Sequence, residues 1–369
     1  MNQTLLTWLV FILAFGGMVL VHEFGHFIAA RLCKIEVEEF GIGLPTPGAI
    51  TLFTWQGTRF TFNWLPFGGF VRPKGENDPN VEGGLAAASP WKRLIVLFAG
   101  PLMNLLTAVL IYSLIFTRVG VPDANRVLVS SVTENSPAAE AGFQNGDIFI
   151  SGNGQPIRTY EELRVIVDAN EGKPVDFVID RHGQQVNLTA TPVMNKEANR
   201  IMIGVGLGVP FKQPSSPIET VTLGGQYTYY NVRALIALPA QMLRGTLNSE
   251  QSRLVGLKGI YDILQQTVSH DVQASASAPG PATDPIDQPV RTLELIASLS
   301  ISLGIFNLFP FPALDGGRII FVLPELIFRR RVSPQVENLI HGMGMAFLLL
   351  LMIYINVMDF INPINVTIP

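Results

Sequence analysis

His22 and His26 stand four residues apart with a carboxylate between them, in the run His22-Glu-Phe-Gly-His26. On a helix, positions i and i+4 share one face, so both imidazoles can grip a single cation while Glu23 lies beside it. Zinc suits such a pair and leaves room for a third protein ligand and a water. It lowers the pKa of that water to about 7, and Glu23 is spaced to take the proton and pass it to a leaving amine. The setting sharpens this reading, because the motif lies within the apolar run Leu5 to Ala30. An ionisable group deep in a membrane span costs about 2.5–3.5 kcal/mol on insertion scales, so it is retained only with a partner or a function. The other reading is an inward-facing polar cluster that ties helices together, which has no need of ligand spacing.

A third ligand must be a histidine or a carboxylate, since the single cysteine, Cys33, excludes both an intrachain disulfide and a cysteine-based zinc finger. His182, His270 and His341 have no partner at ligand spacing and read as structural or solvated. The run Asn307-Leu-Phe-Pro-Phe-Pro-Ala-Leu-Asp-Gly-Gly-Arg318 offers Asp315, the only acid between Glu294 and Glu325. Two prolines and a glycine pair break a helix there and expose backbone groups that must be buried in protein or face a wet cavity. Asp315 is thus the candidate third ligand, with a helix cap at a kink as the other reading.

The elements that must carry these residues are membrane spans. Hydrophobic residues make up 48% of the 369 and charged ones 15%, a balance too apolar for an ordinary soluble domain of this length. Four stretches approach or exceed the roughly 20 residues that cross a bilayer. They are Leu5 to Ala30, Leu94 to Phe116, Leu293 to Leu326 and Leu339 to Ile361. The first is too long for a secretory signal, carries the ionisable motif in its body and reads as retained. Basic residues set the orientation: Arg31, Lys34, Arg59, Arg72, Lys74, Lys92 and Arg93 lie between the first two stretches, and Arg329, Arg330 and Arg331 between the last two. Both segments are expected on the cytoplasmic side, with the long middle region outside. A net charge of -4 gives no basic footprint for nucleic acid.

The middle region changes texture near Asp123. Arg126 to Val132 reads as a strand, Asn135 to Gly142 as a short capped helix ended by glycine, and Gly146 to Gly154 as strand and turn. Thr159 to Ala169 reads as an amphipathic helix, and Val175 to Asp180 with Gln185 to Ala190 as a strand pair. The sequences Ser136-Pro-Ala-Ala139, Ala141-Gly142, Asn145-Gly-Asp-Ile148, Asn153-Gly154 and Glu161-Glu-Leu163 resemble a PDZ domain in the bacterial protease arrangement. The resemblance implies a strand edge and a carboxylate-holding loop that capture extended peptides or chain ends, with Ile203-Gly-Val-Gly-Leu-Gly208 as that loop. A β domain without a ligand is the alternative. Ile218 to Leu243 reads as an amphipathic helix at the membrane surface, and Val268 to Val290 as a mobile linker.

The His22–His26 and Asn307–Arg318 segments together resemble the site-2 protease family, the membrane-embedded zinc proteases of regulated intramembrane proteolysis in their bacterial, single-PDZ form. The resemblance implies zinc on His22, His26 and Asp315, Glu23 as catalytic base, and Asn307 steadying the substrate backbone or the reacting carbonyl. In Asn307-Leu-Phe-Pro310 the proline stands further from the asparagine than in many members. Glu39-Phe-Gly-Ile-Gly-Leu44 and Trp64-Leu-Pro-Phe-Gly-Gly-Phe-Val-Arg72 are similar to the family's glycine-rich strands near the active site, and Ala99-Gly-Pro-Leu-Met-Asn104 to its second-span signature. Ordinary turn and packing chemistry is the other reading of those three.

The expected architecture is a multi-pass α-helical membrane protein of four transmembrane segments, with a short membrane-associated β region and an inserted extracytoplasmic α+β PDZ-like domain. Residues 1–122 form the first half of the core, 123–210 the PDZ-like domain, 211–290 the amphipathic helix and linker, and 291–369 the last two spans. The expected activity is hydrolysis of peptide bonds in or beside the transmembrane segments of single-span membrane proteins, in a bacterial plasma membrane with the site toward the cytoplasm. A substrate already cut by another protease is implied, such as an anti-sigma factor or a signal-peptide remnant. A helical substrate must be unwound, and an edge strand around Gly68, Gly69 and Phe70 would accept its freed backbone. Two rivals are a zinc peptidase that trims soluble or lipidated chain ends and a membrane adaptor with a structural zinc.

Overall fold

The computed structural model describes residues 2–195, 200–245, 253–276 and 288–363. Helix α1 (Gln3–Leu32) is followed by strands β1 (Val37–Leu44), β2 (Ile50–Trp55), β3 (Thr58–Phe62) and β4 (Leu65–Pro73), then helix α2 (Pro90–Val119). The middle of the chain holds β5 (Val121–Pro122), β6 (Val127–Val132), α3 (Pro137–Ala141), β7 (Ile148–Gly152), β8 (Gln155–Pro156), α4 (Tyr160–Ala169), β9 (Val175–Arg181) and β10 (Gln184–Ala190). Four short strands end it, β11 (Val193–Asn195), β12 (Arg200–Met202), β13 (Val205–Gly208) and β14 (Phe211–Lys212). Helices α5 (Pro217–Leu243), α6 (Leu257–Ala276), α7 (Arg291–Asn307), α8 (Asp315–Phe328) and α9 (Pro334–Ile361) complete the described chain. The contacts divide it into two units, 117–217 and the remainder.

In the helical unit, α1, α2 and α9 are long and apolar enough to cross a membrane among the described residues. Their outward side chains, Leu13, Leu110 and Leu350 among them, are exposed, as lipid-facing residues would be. The stretch Leu293 to Leu326 is two helices, α7 and α8, separated by residues 308–314, a break where its two prolines were expected to put one. Pro310 and Pro312 lack the amide protons a helix needs, and Ala313 adopts a left-handed φ of 78° that no helix continues through. The expected linker Val268 to Val290 differs, because α6 runs on to Ala276 and buries Leu264 and Val268 against Phe11 of α1. That apolar pair outweighs the polar composition around it; residues 277–287 of the same stretch lie outside the described residues. Ile218 to Leu243 is helical within α5.

The four-stranded sheet of this unit has the order β2-β3-β1-β4, which leaves β4 as an outer strand. It pairs antiparallel with β1 through Phe40↔Val71 and Gly41↔Phe70. A Cβ at Gly68 would meet Val19 at 3.0 Å and one at Gly69 would meet Leu20 at 3.1 Å, so β4 lies directly on α1 just before the histidine motif. Phe27, Phe40 and Phe60 form the core between sheet and helix.

The 117–217 unit is built on a sheet of order β10-β9-β7-β6-β13, closed by α3 and α4. Strands β9 and β10 pair in register from Gln184↔Arg181 to Ala190↔Val175. Thr159 caps α4 in a capping box with Glu162, as the threonine-glutamate spacing dictates. The core gathers Phe143, Phe149, Phe177 and Ile179 with Leu163 and Ile166 from the inner face of α4. Buried Asp147 accepts from Arg181 Nε and Nη2, both at 2.7 Å, and this hydrogen bonding holds the guanidinium pKa above its ordinary value. The glycine-rich run 203–208 supplies β13, an edge strand paired with β6.

Candidate active site

The helical spacing of His22 and His26 puts both rings on one buried face of α1, 4.8 Å apart between centroids and nearly perpendicular. Asp315 is the first residue of α8, brought in by the break after α7. Leu314 occupies the cap position and no side chain caps that helix, so the carboxylate is not engaged in helix capping. Instead Asp315 Oδ2 lies 3.2 Å from His22 Nε2 and 3.3 Å from His26 Nε2, and the two nitrogens are 3.2 Å apart. These residues form the candidate metal-binding group among the described residues.

Three ligand atoms around a tetrahedral zinc at 2.0–2.1 Å are about 3.3 Å from one another, which is the triangle found here. Asp315 Oδ2 is fully buried yet has no hydrogen bond of acceptable geometry among the described residues, the condition of an oxygen whose lone pair is aimed at a cation. His26 Nδ1 lies 2.7 Å from the carbonyl oxygen of Val96. A carbonyl only accepts, so Nδ1 carries the proton and Nε2 keeps its lone pair toward the triangle. The donor set therefore fits zinc.

Glu23 is held by a bond the sequence did not foretell: the Val71 amide of β4 donates to Glu23 Oε2 at 3.0 Å. This ties the carboxylate to the outer strand that carries Gly68, Gly69 and Phe70. Asn307 closes α7, where its side chain has no hydrogen-bond partner among the described residues. The structure thus brings His22, His26 and Asp315 together, sets Glu23 against β4, and leaves the Asn307 side chain unbonded among the described residues.

Three neighbours of the site make contacts that the sequence does not show. Gly100 of α2 packs so tightly on His26 that a Cβ there would stand 2.4 Å from Nε2. Asn104, fully buried one turn on, lies 3.2 Å from His22 Nδ1. His341 of α9 accepts from the Ala313 amide at 2.8 Å and so holds the break before Asp315. The likeness of residues 99–104 to a second-span signature pointed at Gly100 and Asn104 without giving either a contact; nothing local marked the Val96 carbonyl or His341.

A sequence model of peptidase family M50 matches residues 10–351. A Clostridium perfringens protein, named only provisionally as a zinc metalloprotease, is 31% identical over 96% of this chain and 98% of its own length. Metalloprotease MmpA of Caulobacter vibrioides is 28% identical over 95% of this chain and 94% of its own. Zinc metalloprotease RasP of Oceanobacillus iheyensis is 29% identical over 95% and 97%. Among solved structures, the PDZ domain of an SdrC-like protein from Listeria monocytogenes aligns with 22% of this chain and 87% of its own length, at 20% identity and a TM-score of 0.21. With the family model matched along nearly its whole length, the chain belongs to peptidase family M50.

Proposed function

We propose that this protein is an intramembrane zinc metalloprotease that hydrolyses peptide bonds in or beside the transmembrane segments of other membrane proteins. The observation that carries the reading is the 3.2–3.3 Å triangle of His22 Nε2, His26 Nε2 and Asp315 Oδ2. Zinc bound there supplies Lewis acidity that makes water nucleophilic near neutral pH. His22, His26 and Asp315 hold it with three protein atoms, and no fourth His, Cys, Asp or Glu joins the group among the described residues, which favours an open, catalytic site over a structural one. The Glu23 carboxylate, held by the Val71 amide, would accept the proton from water and return it to the leaving amine nitrogen.

The outer strand β4 is the candidate docking edge. A substrate segment laid beside Gly68, Gly69 and Phe70 would pair its backbone with the sheet, satisfying groups freed by unwinding. Asn307 is assigned to the substrate backbone or the reacting carbonyl, at the end of the helix that precedes the broken segment. Helices α7 and α8 act together as one interrupted span, the third in chain order. The 117–217 unit serves as a PDZ-like filter on the outer face of a bacterial plasma membrane. It admits single-span proteins already shortened by another protease, anti-sigma factors and signal-peptide remnants being the expected kinds. The basic segments flanking the spans support this orientation.

The test is co-expression of the chain with a panel of single-span membrane proteins, with cut sites mapped by mass spectrometry. Zinc-dependent cuts within or next to the hydrocarbon zone, lost in Glu23→Gln, are expected. Cuts confined to soluble or lipidated chain ends would replace this reading with that of an end-trimming peptidase.

A further inference from the structure

The two histidines meet α2 along one of its faces, at positions one turn apart. Val96 takes the Nδ1 proton of His26, Gly100 gives that ring room, and Asn104 stands beside His22. The spacing i, i+4, i+8 on α2 thus matches the i, i+4 spacing of the histidines on α1. Asn104 is fully buried, its amide nitrogen 3.2 Å from His22 Nδ1, and its own side-chain oxygen has no hydrogen-bond partner among the described residues. Its backbone is fixed as well: Ser300 Oγ of α7 donates to the Asn104 carbonyl at 2.8 Å.

The arrangement has a chemical consequence. When Nε2 of His22 carries the proton, Nδ1 is bare and takes the hydrogen bond of the amide NH2. When Nε2 gives its lone pair to a cation, the proton must sit on Nδ1 and needs an acceptor. Rotation about the last side-chain bond of Asn104 turns its unpartnered oxygen to that proton. An asparagine serves both states of the ring, whereas a carboxylate serves only the second and an apolar side chain neither.

We propose that Asn104 is a positioning residue that holds His22 in its metal-binding tautomer, presenting the side-chain oxygen to Nδ1–H. The proposal rests on the zinc-site reading above and adds to it a residue that touches neither metal nor substrate.

Zinc affinity of the purified full-length chain in detergent, measured by competition with a chelating dye, tests this without any cleavage assay. Asn104→Leu keeps the branched heavy-atom skeleton, with methyls bulkier than the amide, and removes both polar atoms, so affinity should fall about 10–100-fold. Asn104→Asp should bind at least as tightly as the wild type, a direction that lost packing does not produce. Ser300→Ala loosens the same helix contact without touching the amide, and its affinity should stay within about threefold, the usual scatter between contexts. Equal affinity in Asn104→Leu, or an equal loss in all three variants, would overturn the proposal. Should the Asn104 variants fail to fold, the wild type decides: in the zinc-loaded chain labelled with 15N at histidine, His22 must carry its proton on Nδ1. A bare Nδ1 ends the proposal while leaving the zinc site standing. A wild-type chain that takes up no zinc sinks both.

Discussion

His22, His26 and Asp315 each present one atom to a common point, and Glu23 presents none. The four residues should therefore separate in two measurements. Replacing Glu23 by glutamine keeps the side-chain volume and removes the base, so cleavage should fall to background while zinc content, read by atomic absorption, stays near one per chain. Replacing Asp315 by asparagine removes the charged ligand atom. Zinc affinity should then drop by more than about 100-fold, beyond the roughly 10–100-fold typical of residues that only support a ligand, and activity should fall with it. Normal turnover in Glu23→Gln would falsify the general-base assignment. Full zinc affinity in Asp315→Asn would remove Asp315 from the ligand set.

At the scale of elements, the site depends on how closely α2 and α9 approach it. Helix α1 meets α2 at Gly25, where a Cβ would lie 2.4 Å from the Ala99 carbonyl oxygen, and at Gly100 against the His26 ring. Gly100→Ala should push that ring out of the triangle and lower zinc affinity about tenfold or more, with the chain still folded by circular dichroism. Unchanged affinity would mean that α2 yields at no cost to the ring. Residues 308–314 are held from the other side by His341, whose Nδ1 accepts the Ala313 amide, and by Gly344, which leaves space for Pro312. His341→Ala leaves that partly buried amide unpaired, so stability should fall by about 1–3 kcal/mol in a reversible unfolding assay. A stability equal to the wild type would show that the break holds itself.

Across the whole molecule, the helical unit and the 117–217 unit have separate cores and should fail separately. Phe177 is fully buried at the centre of the second core. Phe177→Ala should destabilise that unit by about 3–5 kcal/mol while zinc content stays normal. A variant that also lost zinc would join the two cores into one cooperative block. Deleting residues 123–210 tests the filter: untrimmed substrates refused by the full chain should be cut by the shortened one. If they are refused as strictly as before, the unit has another task.

Local chemistry alone determined the two histidines on one helical face, the glutamate between them, the long apolar helices and the break around Pro310 and Pro312, because each depends on spacing along a short stretch of chain. The amphipathic helix from Thr159 and the β9–β10 hairpin were legible for the same reason. Other features depend on segments far apart in the chain. Only the tertiary structure brought Asp315 against the motif helix, set the Val71 amide on Glu23, and aligned Val96, Gly100 and Asn104 with the two rings. It also carried α6 through a stretch whose polar composition pointed to a linker, since Leu264 and Val268 found Phe11 to bury against. A sequence displays periodicity and breakers, but which helix faces meet is decided by packing between segments, and these outer contacts are made of packing.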